Sequence, residues 1–152
     1  MNFFTTANRI IVTCSNRLSP FLQQEVVELG FTPVRIFKTG VELKGNLADC
    51  IKLNLNLRSA SQVLFSVKEF TAHNAEDLYK ILFDFEWEDI IASDGYFSIS
   101  SNVDNDTINN SLYANVKVKD AIADRFREKT GQRPNAGPEL DKTVIHLYWK
   151  ES

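Results

Sequence analysis

The sequence predicts an α+β chain in two parts: a small unit of β-α-β-β-α-β order, then an α/β unit organised around one long helix. Three features lead there. Short β-branched runs alternate with helical apolar spacing as far as Val67, and Ser111 to Thr130 reads as one uninterrupted helix. The segment from Gly131 to Pro138, with two prolines and two glycines, then sets off a last apolar strand.

Arg9 to Cys14 is short and β-branched, the pattern of a strand. Ser19-Pro20 offers an N-cap followed by proline at the first helical position. Phe21, Leu22, Val26 and Leu29 then recur at helical spacing until Gly30 stops the run. Val34 to Phe37 reads as a second strand, and Thr39-Gly40 as the turn into a third, Val41 to Lys44. Asn46 can cap a helix that starts at Leu47, with Leu47, Ile51 and Leu55 expected on its buried face. Gln62 to Val67 closes the series as a fourth strand. This order is that of the ferredoxin-like fold, in which two helices cover one face of a four-stranded antiparallel sheet.

The first domain is expected over residues 1–73 and the second over 74–152. Beyond Asn74, Leu78, Ile81, Leu82 and Phe85 share one face of a helix, and the acidic run Glu86-Trp87-Glu88-Asp89 follows. Ser93-Asp94-Gly95 turns the chain into a strand from Tyr96 to Ser100, and a polar loop around Asn105, Asp106 and Asn109 leads to the long helix. There Leu112, Val116, Ala123 and Phe126 are expected to be buried, with Lys119 in the middle of their arc. Gly131 to Pro138 is expected to be irregular. The final strand, Thr143 to Trp149, is apolar enough to need partners, so the second domain is expected to be cut short at its C-terminus.

Composition narrows the function classes. Hydrophobic content of 43% and charged content of 24% are ordinary for a globular protein. No apolar run approaches the roughly 20 residues of a membrane-spanning helix, and no basic-then-apolar leader opens the chain. A cytoplasmic chain without a membrane partner is expected. Cys14 and Cys50 sit at apolar positions and read as buried thiols in a reducing compartment. His73 and His146 stand far apart with no neighbouring Cys or His, so no metal site is expected.

The net charge of −3 conceals a segregation. Residues 1–74 carry eight Lys/Arg against five Asp/Glu, residues 75–110 one against nine, and residues 111–152 eight against six. Acidity is confined to the middle segment, which leaves room for a basic face elsewhere. The acidic cluster Glu86, Glu88, Asp89 and Asp94 reads as a solvated face rather than an acid/base pair, because such pairs need carboxylates converging in a cleft. No Ser/His/Asp set, Cys/His pair or phosphate-cradling glycine loop is present, so no catalytic residue is assigned.

The cationic candidates lie mostly on the long helix: Lys117, Lys119, Arg125, Arg127 and Lys129, followed by Arg133 on the proline-stiffened segment. They suit phosphate contacts. They also suit intrahelical pairs such as Lys117 with Asp120 and Asp124 with Arg127, or complementation of the helix dipole. Lys119 either snorkels to the rim or is held for a ligand. Arg58, after the second helix, suits a phosphate or the carbonyls of the preceding helix end.

The stretch Asn110 to Pro134, with Val118-Lys119-Asp120-Ala121-Ile122 and Gly131-Gln132-Arg133-Pro134 at this spacing, resembles the THUMP region of bacterial ribosomal RNA guanine-N2 methyltransferases. Leu57-Arg58-Ser59-Ala60-Ser61-Gln62-Val63-Leu64 is similar to the close of their N-terminal ferredoxin-like domain. The resemblance implies that both domains grip structured RNA, ribosomal RNA above all. It also implies that a separate methyltransferase domain of the same polypeptide binds S-adenosylmethionine and modifies the guanine. Neither the Asn-Pro-Pro-Tyr motif nor the glycine-rich cofactor loop of that domain occurs in this sequence, so no cofactor is expected in this chain. Two rivals stand beside the RNA-binding reading. One is a protein-interaction domain that uses the acidic segment. The other is a small acylphosphatase-like enzyme, for which Arg17 is the remote candidate.

Overall fold

The computed structural model describes residues 2–104 and 110–150. The expected loop positions Asn105, Asp106 and Asn109 lie outside them. The chain forms two compact units, Met1–Glu69 and Phe70–Ser152.

Unit 1 has the elements β1 (Asn8–Thr13), α1 (Ser19–Glu28), β2 (Arg35–Phe37), β3 (Gly40–Gly45), α2 (Leu47–Asn56) and β4 (Gln62–Phe65). The strands lie in the order β2-β3-β1-β4, every neighbouring pair antiparallel, which is the ferredoxin-like arrangement. Ile10, Val12, Val41 and Leu43 point from the sheet toward Leu22 and Val26 of α1 and Cys50 and Leu53 of α2. Both cysteines are free and buried in this core, where desolvation pushes the Cys50 thiol up to about 11. Asn46 and Asp49 form a reciprocal capping box on α2, with bonds of 2.9 Å in each direction.

Two expectations for unit 1 fail. Ile51 and Leu55 of α2 are exposed, and the helix buries Cys50 and Leu53 instead. The capping box fixes where the helix starts, and the rotation that follows brings positions 50 and 53 onto the sheet. In α1, Leu18 rather than Ser19 occupies the cap position without a side-chain bond; Ser19 is buried and Phe21 is exposed.

Unit 2 has α3 (Ala75–Phe83), a 3₁₀ turn (Trp87–Asp89), β5 (Tyr96–Asp104), α4 (Ser111–Thr130), β6 (Asn135–Ala136) and β7 (Thr143–Lys150). Its strands lie in the order β6-β5-β7, both pairings parallel. The core joins Leu78 and Leu82 of α3, Phe97 of β5, Val118, Ile122 and Phe126 of α4, Leu147 and Trp149 of β7, and Trp87. Phe70 and Ala72, which precede the expected start of the second domain, pack against it too. The buried indoles are satisfied: Trp87 donates to the Leu82 carbonyl at 2.7 Å and Trp149 to that of Ala72 at 3.2 Å.

The segment expected to be irregular contains β6, whose two residues pair with Tyr96 and Phe97. Pro134 is buried just before it. A proline lacks a donor but does not prevent the next residues from joining a sheet edge.

Candidate nucleic-acid interface

The long helix decides which cations can meet a ligand. Asn110 caps it by accepting from the Leu112 N–H, and Gly131 closes it with φ of 74°, a left-handed conformation that glycine adopts without strain. Along its length Ala114, Val118, Ala121, Ile122 and Phe126 are fully buried, whereas Leu112 and Val116 are exposed. Ala123 and Phe126 are buried as expected, while the N-terminal half of the helix turns a different side inward. The small residues Ala114 and Ala121 are what permit close packing on this side, and a search weighted to large apolar residues passes over them. Lys119 is consequently exposed and not the centre of a buried arc.

Arg125 lies on the buried side, only 8% exposed. Its Nε and Nη2 donate to Glu88 Oε2 and Oε1 at 2.8 and 2.7 Å, and its Nη1 donates to the Phe83 carbonyl at 3.1 Å. The hydrogen bonds between the partners hold the Glu88 carboxyl below the usual carboxylate range and raise the Arg125 guanidinium further. Arg125 is thus an internal strut and leaves the set of RNA-facing candidates. Glu88 is correspondingly no freely solvated acid. Thirty-seven positions separate the two residues, so no local pattern announces the pair.

Lys117 is partly covered. Its ammonium stands 3.7 Å from Glu76 of α3 and over the Tyr113 ring at 5.8 Å, in place of the expected pair with Asp120. Arg127 and Asp124 do approach, at 3.7 Å, with Arg127 59% exposed. A pair so solvated holds the arginine loosely. Asp124 also accepts the Tyr79 hydroxyl, which pushes the Tyr79 phenol up to about 12.

What remains exposed at the C-terminal end of α4 and just beyond it are three cations, Arg127, Lys129 and Arg133, of which Arg127 and Lys129 project from different sides of the helix. Their support is firm. The Gly131 N–H returns to the Arg127 carbonyl at 3.1 Å, and Thr130 Oγ1 bonds the carbonyls of Phe126 and Gln132 at 2.8 and 2.9 Å. Beyond Arg133, the N–H of Asn135 donates to Gly95 O at 2.9 Å and that of Gly137 to Phe97 O at 3.3 Å. Arg133 therefore sits on a short bridge anchored at both ends, which limits its backbone freedom. The negative end of the helix dipole opposes an anion close to the backbone here. Lys119 lies further up α4, about 12 Å along the axis from Arg127.

Arg58 belongs to unit 1. The carbonyls near the end of α2 are met by Asn54, which donates to Cys50 O at 2.9 Å, and Asn56, which donates to Lys52 O at 2.8 Å. Its own N–H donates to Glu25 Oε2 at 2.7 Å, while the Ser59 N–H and Oγ donate to Glu25 Oε1 at 3.1 and 2.6 Å. Arg58 lines a shallow hollow with Phe21, Gln24, Glu25 and Glu28, whose carboxylates disfavour a phosphate. Glu25, which clamps this loop, carries no signal in the local sequence.

Among the described residues no group of three or more His, Cys, Asp or Glu could hold a metal ion. No described helix is long and apolar enough to cross a membrane.

The arrangement of unit 2 has a counterpart in known proteins. The THUMP domain model matches residues 72–149. The chain belongs to the THUMP family. Ahead of the THUMP domain, residues 9–64 match the RlmL ferredoxin-like domain. Among curated relatives, the chain is 32% identical over 139 residues to a ribosomal RNA large subunit methyltransferase K/L of Magnetococcus marinus. It is 33% identical over 138 residues to one of Pseudomonas fluorescens. The matches cover 91% of this chain but 19% and 18% of those relatives, so the chain spans about a fifth of their length. A solved Listeria monocytogenes chain, described as a predicted N6-adenine-specific DNA methylase, superposes with a TM-score of 0.75 at 25% identity. That superposition covers 94% of this chain and 37% of the other. A solved Clostridium difficile chain, described as a possible methylase, shares the fold at a TM-score of 0.72 and 18% identity, over 94% of this chain and 39% of its own.

Proposed function

We propose that this ferredoxin-like and THUMP pair is an RNA-binding module that positions structured RNA, ribosomal RNA in particular, for a methyltransferase domain of the same polypeptide. The observation that carries the reading is the exposure of Arg127, Lys129 and Arg133 at the end of the helix that centres the THUMP match, with Arg133 on a bridge anchored at both ends. Lys119 extends the contact along α4, while Lys117 and Arg58 are secondary because carboxylates stand beside them. Such side chains read the backbone and shape of an A-form helix, whose deep major groove they cannot enter.

Choice of the target base, and chemistry at a guanine N2, then belong to the other domain, which would hold S-adenosylmethionine. The setting proposed is the bacterial cytoplasm, where relatives named for ribosomal RNA methylation find their substrate.

The rival reading, in which the acidic segment faces a protein partner, is weakened by where those carboxylates go. Glu88 is spent on Arg125, Glu76 stands by Lys117, and Asp77 accepts the His73 N–H at 3.1 Å. The test is fluorescence anisotropy of the chain with a structured ribosomal RNA hairpin at several salt concentrations. A steep fall in affinity with salt supports phosphate contact, and no binding at low salt rejects the reading.

A further inference from the structure

The sheet of unit 1 has a second face. The helices cover the side bearing Ile10, Val12, Val41 and Leu43. Register places Arg9, Ile11 and Thr13 of β1 opposite Lys44, Glu42 and Gly40 of β3. Arg35 and Phe37 of β2 stand opposite Glu42 and Gly40, and Leu64 of β4 stands opposite Ile11. Directly opposed residues point to the same side, so these side chains share the helix-free face. Ile11, Phe37 and Leu64 are only partly exposed, yet they belong to neither hydrophobic core.

The charges on this face are uneven. Glu42 is its one carboxylate among the paired strand positions, and Arg9 holds it at 3.4 Å while also reaching Glu69 at 3.0 Å. Arg35 and Lys44 remain as exposed cations. The Arg35 guanidinium lies over the Phe37 ring, 4.5 Å from its centroid, and the ring limits its freedom to turn away. An arginine held over an aromatic ring offers a flat, positively charged surface, a platform for an unpaired base whose phosphates meet neighbouring cations.

We infer that the helix-free sheet face of unit 1, with Arg35 stacked on Phe37 and with Ile11, Leu64 and Lys44 beside them, binds a single-stranded RNA segment. The inference rests on the RNA-binding reading of the chain. Exposed cations around a small apolar and aromatic patch favour a polyanion with stackable bases over an apolar protein surface.

The test compares a blunt-ended RNA hairpin with the same hairpin carrying a long single-stranded overhang of about 16 nucleotides, titrated against the full 152-residue chain. The overhang should tighten binding about tenfold, the scale of one stacked base. Phe37→Ala and Arg35→Ala should abolish that gain and leave blunt-hairpin affinity unchanged, while Phe37→Tyr, which keeps the ring, should retain it. Equal affinity for the two RNAs would overturn the inference and leave the RNA-binding reading standing. So would an overhang gain that survives Phe37→Ala. If neither hairpin binds, that broader reading has failed, and the overhang oligonucleotide titrated alone decides this one. Binding sensitive to Phe37→Ala supports it; no binding overturns it and gives the face to a protein partner.

Discussion

Arg125 and Glu88 form a two-point ion pair within unit 2, Nε to Oε2 at 2.8 Å and Nη2 to Oε1 at 2.7 Å, fastening α4 to the 3₁₀ turn. An arginine counted by sequence among the RNA-facing cations is thereby a structural element. Replacing one member strands the other in a largely desolvated position.

Glu88→Ala is expected to destabilise unit 2 by about 2–3 kcal/mol, somewhat less than a fully buried pair because Glu88 keeps 28% of its exposure. Both tryptophans, Trp87 and Trp149, lie in this unit, so their fluorescence during urea unfolding isolates the effect. Under conditions where the variant is folded, RNA affinity and its salt dependence should match those of the parent chain. A changed salt slope would return Arg125 to the interface.

The exposed group behaves in the opposite way. Lys129→Ala combined with Arg133→Ala should leave the unfolding midpoint nearly unchanged, since both side chains are exposed. The slope of log affinity against log salt should become shallower by about two, one for each lost phosphate contact. Anisotropy titrations at three or four salt concentrations measure it.

His146 gives unit 2 a pH dependence. It lies opposite Ser100 in the β5–β7 register, and burial lowers its pKa below the usual 6.5. The unfolded chain therefore takes up the proton first as pH falls. Stability from this residue is fully present above about pH 6.5 and is lost as pH drops through the lowered folded value. His146→Gln should remove this step from unfolding curves recorded between about pH 5 and pH 8; a step of the same size in the variant would assign it elsewhere.

Glu25 should show itself at the loop it clamps. The Ser59 hydroxyl and then the Arg58 N–H hold its carboxyl below the ordinary range. The clamp is complete above about pH 4.5 and weakens as pH falls through the folded value. In Glu25→Gln, hydrogen exchange at the Arg58 and Ser59 amides should be faster at pH 6, with protection in unit 2 unaltered. Unchanged exchange at those amides would show that Glu25 does not hold the loop.

The sequence by itself determined the order of elements in unit 1 and, apart from the 3₁₀ turn and β6, in unit 2. That information is local: β-branched runs, the Asn46 cap, the stop at Gly30 and the glycine at the end of α4 each act within a few residues. The resemblance of Asn110 to Pro134 located the helix and bridge on which the cationic group sits. The buried residues Leu22 and Val26 of α1 and Leu78 and Leu82 of α3 were legible in the spacing, whereas tertiary structure alone decided which side of α2 and α4 is buried and which cations stay free. Ile51 and Leu55 match Cys50 and Leu53 in helical spacing, and only contact with the sheet selects between the two sets. Arg125, Arg127 and Lys129 are alike as sequence. They diverge because Glu88, thirty-seven positions away, reaches one of them, and a partner so distant in the chain becomes a neighbour only when the core closes.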